Sequence, residues 1–228
     1  MSTSKRLPTT SDFPSSWTLT VSPPPSSQRP TNILILLHGL GDAHLPFAQL
    51  GTQMNLPETA CISIKAPEPL PFEASSFHWG DDVIFDNTVG TIDPDGGFKK
   101  VVPRLVKEII EDTLIKKCGY QPRELMLFGF GQGGMVVLSI AGSEAAASLS
   151  PKRKTPILVC SGSDSPWVTS SAENKLKAVF ESVQFNRYRR SGDTMPKSRD
   201  EMYPIMQFFA RRLKSSAGVP EGSVELSA

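Results

Sequence analysis

Near the middle of the 228-residue chain, an apolar segment runs directly into a turn rich in glycine. Residues 125–128 are apolar, and residues 129–133 read Gly, Phe, Gly, Gln, Gly. A strand that enters a glycine-flanked turn and leaves as a helix has the geometry of a nucleophile elbow, G-x-S-x-G, whose central side chain stands above a sheet. The central position here is Gly131, and glycine accepts the unusual backbone of such a turn at little cost. We therefore expect the turn to persist without its nucleophilic hydroxyl.

Strands and helices alternate along the rest of the chain. Apolar runs and alternating patterns predict strands at residues 17–21, 32–37, 61–65, 125–128, 155–160 and 185–188. Helical spacing of apolar residues, with a capping box at Ser170 and Glu173, predicts helices at residues 98–117, from 135, from 170 and at 202–213. This alternation predicts an α/β fold with a mostly parallel sheet and helices on both faces.

Three parts are expected along the chain. Residues 1–31 are rich in Ser, Pro and Thr and are expected to be loosely ordered, apart from the edge strand at 17–21. Residues 32–213 form the predicted domain, and residues 214–228 are a polar tail that we expect to fray. The acidic segment that follows residue 71 has no period of its own and is expected to be a rim or lid loop.

Composition argues against several classes of function. The 24 basic and 23 acidic residues leave a net charge of +1, so no whole-surface field attracts nucleic acid. No run approaches the roughly 20 apolar residues that span a bilayer, and the opening residues are not an apolar leader. We therefore expect a soluble cytoplasmic protein without a transmembrane segment. Cys61, Cys118 and Cys160 lack metal-type spacing and are expected to be free thiols, so no metal or cofactor is predicted.

Two motifs bring a resemblance to a known family. Residues 36–42 read Leu-Leu-His-Gly-Leu-Gly-Asp, and residues 129–134 read Gly-Phe-Gly-Gln-Gly-Gly. The pair resembles the acyl-protein thioesterase branch of the phospholipase/carboxylesterase family, whose members carry L-H-G-L-G-D and G-F-S-Q-G-G. The resemblance covers nearly all of residues 32–213, and it implies an α/β-hydrolase fold of serine carboxylesterase or acyl-protein thioesterase ancestry.

The resemblance also implies roles for individual positions. The nucleophile position falls on Gly131, the acid position on Ser165 or the preceding Asp164, and the base position on Met195. The same correspondence assigns the oxyanion donors to the backbone N–H groups of Leu40 and Gln132, and the rest of the cleft to His38, Gly39, Gly41, Asp42, Trp79 and Phe130.

The histidines point against a working triad for a separate reason. His38, His44 and His78 all precede the elbow, whereas the base follows the nucleophile and the acid along the chain in this fold. His38 lies in the first motif and is expected to order that turn by hydrogen bonding. Loss of the nucleophile or the base alone lowers turnover on the order of 10⁶-fold in a studied serine protease.

Three functions stay open. The leading hypothesis is a catalytically inactive or strongly impaired family member that keeps a cleft for a small acyl or ester ligand or an acylated protein. The first alternative is an active ester or thioester hydrolase with a displaced nucleophile, for which the candidates are Cys160, Ser161, Ser163 and Ser165. The second is a protein-interaction module that binds its partner through an acidic rim. This rim is formed by Asp81, Asp82, Asp86, Asp93 and Asp95. We interpret these carboxylates as a solvated surface rather than a cation site.

The connection after the elbow helix is short. The family places a further strand and a substrate-lining loop before the strand predicted at residue 155, but only residues 143–154 are available for them. Either a strand has been lost or the sequence lacks a segment.

Overall fold

The structure is a computed structural model that describes residues 5–25, 30–71, 73–86, 90–143, 152–216 and 218. Its strands are β1 (Leu19–Ser22), β2 (Asn32–Leu37), β3 (Thr59–Ile64), β4 (Glu68–Leu70), β5 (Glu73–His78), β6 (Ile84–Asp86), β7 (Thr91–Asp93), β8 (Leu125–Gly129), β9 (Ile157–Ser161) and β10 (Val183–Arg187). Its helices are α1 (His44–Gln53), α2 (Val101–Arg104), α3 (Gln132–Ala141), α4 (Ser170–Val179) and α5 (Arg199–Arg212). A π-type segment, Leu105–Lys117, continues α2, and 3-10 turns occupy Thr10–Asp12 and Pro122–Glu124.

Four strands form the main sheet, in the order β1-β3-β2-β8. β2 is parallel to both β3 and β8, and only the edge strand β1 runs antiparallel. Every residue of β2 and β3 is buried, as expected of parallel strands that are covered on both faces. Leu37 is paired with Gly129, so the two glycine-rich turns leave the sheet side by side.

Helices cover both faces of this sheet. Ile33, Ile35 and Leu37 of β2 lie in one core with residues of α2 and α3. Leu34 and Leu36, which alternate with them, lie in a second core with residues of α1 and α5. The α/β arrangement with helices on both faces, expected from the sequence, is thereby confirmed.

Strands β9 and β10 form a separate parallel pair beside the main sheet. Ile157 shares a cluster with Ala141 of α3, and Leu158 packs on the core that contains Phe209 of α5. Within the described ranges, no strand pairs with the outer edge of β8. The possible loss of a strand after the elbow helix stays a prediction, because residues 144–151 lie outside those ranges.

Local pairing gives the acidic segment more regular structure than we expected. β4 pairs with β5, and β6 pairs with β7, so the rim contains two short hairpins. The elbow helix also begins earlier than predicted, at Gln132, because Gly131 supplies its N-cap. No helix among the described residues has the length and apolar character needed to cross a membrane.

Residues 5–25 of the N-terminal segment are more ordered than we expected from their composition. Phe13 and Trp17 are buried in the core on the α2 and α3 face of the sheet. The indole of Trp17 donates to Glu108 at 2.6 Å, and Arg6 makes hydrogen bonds of 2.7 and 2.6 Å to Asp12. The expectation is wrong for these residues because aromatic burial, which composition does not reveal, holds them on the domain.

The expectation that the polar tail frays from residue 214 is also wrong for residues 214–216. Asn32 accepts from the backbone N–H of Lys214 and donates to its carbonyl, both at 2.8 Å. Glu58 accepts hydrogen bonds from Ser215 and Ser216. Two side chains at the amino ends of the strands therefore hold this segment, whereas residues 217 and 219–228 lie outside the described residues.

Candidate active site

The turn between β8 and α3 has the backbone of a nucleophile elbow. Gly131 has a φ of 51° and a ψ of −120°, a combination that residues other than glycine adopt only under strain. Among the described residues, a Cβ placed on Gly131 would meet only the Cα of Gly39 within 4 Å, at 3.7 Å, which is an ordinary contact. The position therefore has room for a side chain above the sheet, although the residue there supplies none.

The flanking glycines have no such room. A Cβ on Gly129 would lie 2.3 Å from the carbonyl oxygen of Gly133, and a Cβ on Gly133 would lie 2.4 Å from that of His38. Both contacts are with backbone, which cannot move aside without disturbing the sheet. Steric contact thus requires glycine at 129 and 133 but not at 131.

Two backbone donors lie in the turns where an oxyanion hole is expected. The N–H of Leu40 belongs to the turn after β2, and the N–H of Gln132 is the first of α3. Neither donates to an acceptor among the residues that the structure describes. The side-by-side exit of β2 and β8 brings these two turns together, and a helix N-terminus favours negative charge.

His38 is fully buried and orders the first glycine-rich turn. Its Nδ1 lies 2.8 Å from the carbonyl oxygen of Gly39, and its Nε2 accepts the N–H of Ala66 at 2.9 Å. These partners assign the proton to Nδ1 and occupy both ring nitrogens. Burial also lowers the pKa of His38. The ring therefore has no nitrogen left for general base catalysis, in agreement with the ordering role expected for it.

The other two histidines contact no candidate nucleophile. The Nδ1 atoms of His44 and His78 are buried and have no hydrogen-bond partner in the described part of the chain. Burial lowers the pKa of both imidazoles. Across the described ranges, no serine hydroxyl or cysteine thiol is hydrogen-bonded to an imidazole nitrogen.

The side chain of Gln132 connects the acidic rim to the elbow by two hydrogen bonds. Its Oε1 accepts the N–H of Trp79 at 2.7 Å, and its Nε2 donates to the carbonyl of Pro94 at 2.9 Å. The indole of Trp79 also donates to the carbonyl of His38 at 2.8 Å. The sequence indicated only a backbone role for Gln132, because its partners lie far from it along the chain.

The loops after β9 and β10 carry the acid and base positions, and they bind each other. Asp193 accepts the N–H of Gly162 at 2.8 Å, and Asp164 accepts the N–H of Gly192 at the same distance. A Cβ on Gly162 would lie 2.6 Å from the carbonyl oxygen of Gly192, so the two backbones are also in close contact. Asp164 therefore serves this connection between loops.

Ser165, at the implied acid position, is buried and uses its whole hydrogen-bonding capacity. Its hydroxyl donates to Asp193 at 2.6 Å and accepts the N–H groups of Trp167 and Val168 at 3.3 and 3.0 Å. A hydroxyl has one proton and two lone pairs, so no lone pair remains for attack on a substrate. Sequence reasoning missed Asp193 as its partner, because a contact between residues 28 positions apart has no local signature.

Met195, at the implied base position, is an apolar residue that packs against an apolar core. It packs on the same core as Phe130, the residue before Gly131. Its thioether accepts protons only weakly and cannot replace an imidazole.

The remaining candidates for a displaced nucleophile are poorly placed for activation. Burial raises the pKa of the Cys160 thiol, which favours its unreactive protonated form. Ser161 is buried, and its hydroxyl lies 3.2 Å from the carbonyl oxygen of Gly162. Ser163 is exposed, and its hydroxyl makes no hydrogen bond to a histidine within the described residues.

The acidic rim residues stabilise their own loop. The carboxylate of Asp81 accepts the N–H groups of Lys99 and Lys100, both at 2.8 Å. Asp93 accepts the N–H of Asp95 at 2.9 Å, and Asp82 accepts that of Val83 at 2.8 Å. No cluster of three or more metal-binding side chains occurs in the described portion of the chain.

Comparison with known proteins agrees with this geometry. A family model described as phospholipase/carboxylesterase matches residues 22–146. An uncharacterized hydrolase of Schizosaccharomyces pombe is 27% identical over 205 residues, which cover 80% of this chain and 83% of that protein.

Solved structures support the same fold. The crystal structure of esterase PE8 superposes with a TM-score of 0.68 at 19% identity, over 86% of this chain and 99% of its own. Acyl-protein thioesterase 2 of Zea mays superposes with a TM-score of 0.61, also at 19% identity and with the same coverage. The fold and the family match together show that this chain belongs to the phospholipase/carboxylesterase family of α/β-hydrolases.

Proposed function

We propose that this protein is a catalytically inactive or strongly impaired member of the family that binds an acyl ligand in the cleft above Gly131. The observation that carries the proposal is an elbow with its strained backbone intact and no side chain at its centre. Covalent acyl transfer requires a nucleophile that attacks the carbonyl carbon and a base that removes its proton. Gly131 offers no nucleophile and Met195 no base.

The chemistry of the cleft favours a free carboxylate over an ester. The N–H groups of Leu40 and Gln132 suit one anionic oxygen, and the open space at Gly131 accommodates a second oxygen where a nucleophile would otherwise stand. A carboxylate places negative charge at the N-terminus of α3, whereas an ester is neutral. The proposed ligand is therefore a fatty acid or another acyl carboxylate, alone or at the end of a peptide.

Catalytic status is tested with a fluorophosphonate probe on the purified full chain. We expect no labelling under conditions in which an active family esterase is labelled stoichiometrically. Labelling of any serine contradicts the proposal and supports the alternative of a displaced nucleophile. A tryptic map of the labelled protein then identifies that serine.

Ligand binding is tested by thermal unfolding with a fatty acid and its methyl ester of equal chain length. A ligand that binds only the folded state raises the Tm, so we expect the acid to raise it more than the ester. Gly131→Ser is the matched control, because its hydroxymethyl group fills the space of the second oxygen and should reduce the shift. If neither ligand raises the Tm, the interaction-module alternative is favoured.

We further propose that the protein acts in the cytoplasm. Cys61, Cys118 and Cys160 are all free, and free thiols are typical of a reducing compartment.

A further inference from the structure

The carboxylate of Glu58 is the centre of a hydrogen-bond cluster at the end of the sheet opposite the elbow. Oε2 accepts Thr31 Oγ1 at 2.6 Å, Ser216 N at 2.8 Å and Ser216 Oγ at 2.7 Å. Oε1 accepts Ser215 Oγ at 2.8 Å. Four donors therefore converge on one buried carboxylate, and three of them belong to the C-terminal segment.

The cluster depends on the negative charge of Glu58. Burial alone would raise the pKa of this carboxyl, but the hydrogen bonds from Ser216, Thr31 and Ser215 lower it to about 2. The residue also has a positive φ of 48°, a conformation that carries some backbone cost. A second anion placed against this carboxylate would be repelled by its negative charge. It would also receive no hydrogen bond, because an ionised carboxylate has no proton to donate.

We propose that Ser216 is a phosphorylation site and that its phosphate releases residues 214–216 from Glu58. In the transfer, Ser216 Oγ attacks the γ-phosphorus of ATP in the active site of a protein kinase. The new O–P bond forms as the bond to ADP breaks, and the hydroxyl proton passes to the kinase. The product carries about −1.5 to −2 charge at pH 7 on the phosphate attached to the oxygen that had donated to Glu58, so attraction becomes repulsion.

The sequence before Ser216 suits a kinase with an acidic substrate groove. Arg211, Arg212 and Lys214 are exposed, and all lie within five positions of the serine. Charge patterns of this kind are a common basis of kinase specificity. Ser216 itself is exposed apart from its contact with Glu58, so opening of a short terminal segment suffices to present it.

Release of the segment would also open an apolar cavity. A cavity of about 310 Å³ lies between the turn after α1 and the end of α5, and residues 213–215 form one of its walls. Its other apolar lining residues include Leu56, Met206 and Ala210. Phosphorylation would thus couple a charge at Ser216 to exposure of apolar surface.

The first test treats the purified full chain with a basophilic protein kinase, ATP and magnesium, followed by mass spectrometry of the C-terminal peptide. We expect phosphate on Ser216 and its loss in Ser216→Ala. Amide hydrogen exchange then compares the two forms. Exchange at Lys214 and Ser216 should become at least about tenfold faster on phosphorylation, because repulsion from Glu58 breaks the strong hydrogen bond of the Ser216 N–H to that charged group and frees the Lys214 N–H from Asn32.

A charge cycle separates repulsion from a general loss of packing. Ser216→Glu alone should speed exchange at Lys214. Ser216→Ala should change exchange at Lys214 little, since the backbone N–H of residue 216 still donates to Glu58. Adding Glu58→Gln to Ser216→Glu should slow exchange again, because the amide can donate to the new carboxylate. Absence of phosphate at Ser216, unchanged exchange in the phosphorylated protein, or no recovery in the double variant overturns the proposal.

Discussion

The two glycine-rich turns after β2 and β8 differ from the two loops after β9 and β10 in what holds them in place. The turns are fixed by backbone contact, since a Cβ on Gly129 or Gly133 would lie within 2.4 Å of a carbonyl oxygen. The loops also approach each other through backbone at Gly162 and Gly192, but they are joined in addition by side chains, with Asp164 and Asp193 each accepting an N–H from the opposite loop. Both regions stand at the carboxyl ends of strands, where a family member assembles its triad.

Under the proposed function, this difference would explain how the two regions tolerate the loss of triad side chains in different ways. The elbow needs no side chain at its centre, so Gly131 leaves the turn intact. In the loops, a residue in a triad position must satisfy its hydrogen bonds elsewhere, and Ser165 does so with Asp193. The first region has the backbone of a nucleophile elbow, and in the second the side chains at the implied triad positions join the two loops.

The largest effect is expected from restoring chemistry to both regions at once. Gly131→Ser with Met195→His should hydrolyse a p-nitrophenyl ester on the order of a hundredfold faster than Gly131→Ser alone, because general base catalysis typically contributes such a factor. Turnover should increase with pH as the new imidazole loses its proton. The acid position is left unchanged, because an aspartate at 165 would lie against Asp193.

The single variant is the control for this comparison. Gly131→Ser lacks a base and should remain close to the background rate, as should Met195→His, which lacks a nucleophile. Substantial turnover by Gly131→Ser alone would mean that the wild-type chain contains a base other than those considered above.

The sequence predicted the first region far better than the second. β2, β8 and the elbow helix follow from apolar runs, glycines and a turn that are adjacent along the chain, and Gly131 was identified by its place in that pattern. Other contacts join residues that are distant along the chain. They are the hydrogen bonds of Ser165 to Asp193, of Trp79 to Gln132 and of Trp17 to Glu108. Such contacts depend on tertiary packing, which no local pattern encodes.

Among the effects on stability, the largest is expected from crowding the elbow. Gly133→Ala should lower the free energy of unfolding by about 3 kcal/mol or more, because its methyl group would overlap backbone rather than a flexible side chain. Chemical denaturation measures the change. Gly134→Ala is the matched control: its Cβ would approach the carbonyl of Gly129 only to 3.2 Å, and the gain in helix propensity offsets that contact. Equal losses in the two variants would contradict the steric argument.

A smaller loss is expected from the loops. Asp193→Ala removes the acceptor of both Gly162 N and Ser165 Oγ and should cost about 2 kcal/mol of unfolding free energy. Asp164→Ala removes the acceptor of Gly192 N alone and should cost about 1 kcal/mol, less in part because its site is exposed. The ratio of the two losses in urea denaturation tests whether Asp193 is the principal connection. A larger loss for Asp164→Ala would reverse that assignment.

The smallest effect is expected at the centre of the elbow. Gly131→Ala meets no steric obstacle, so its cost should be only the strain of a side chain at positive φ, about 1 kcal/mol. The loss should be well below that of Gly133→Ala, two residues away in the same turn, when both are measured by chemical denaturation. A loss at 131 as large as that at 133 would mean that the turn has tightened around its glycine and no longer admits a nucleophile. A small loss would mean that the elbow still has the space in which a serine would act.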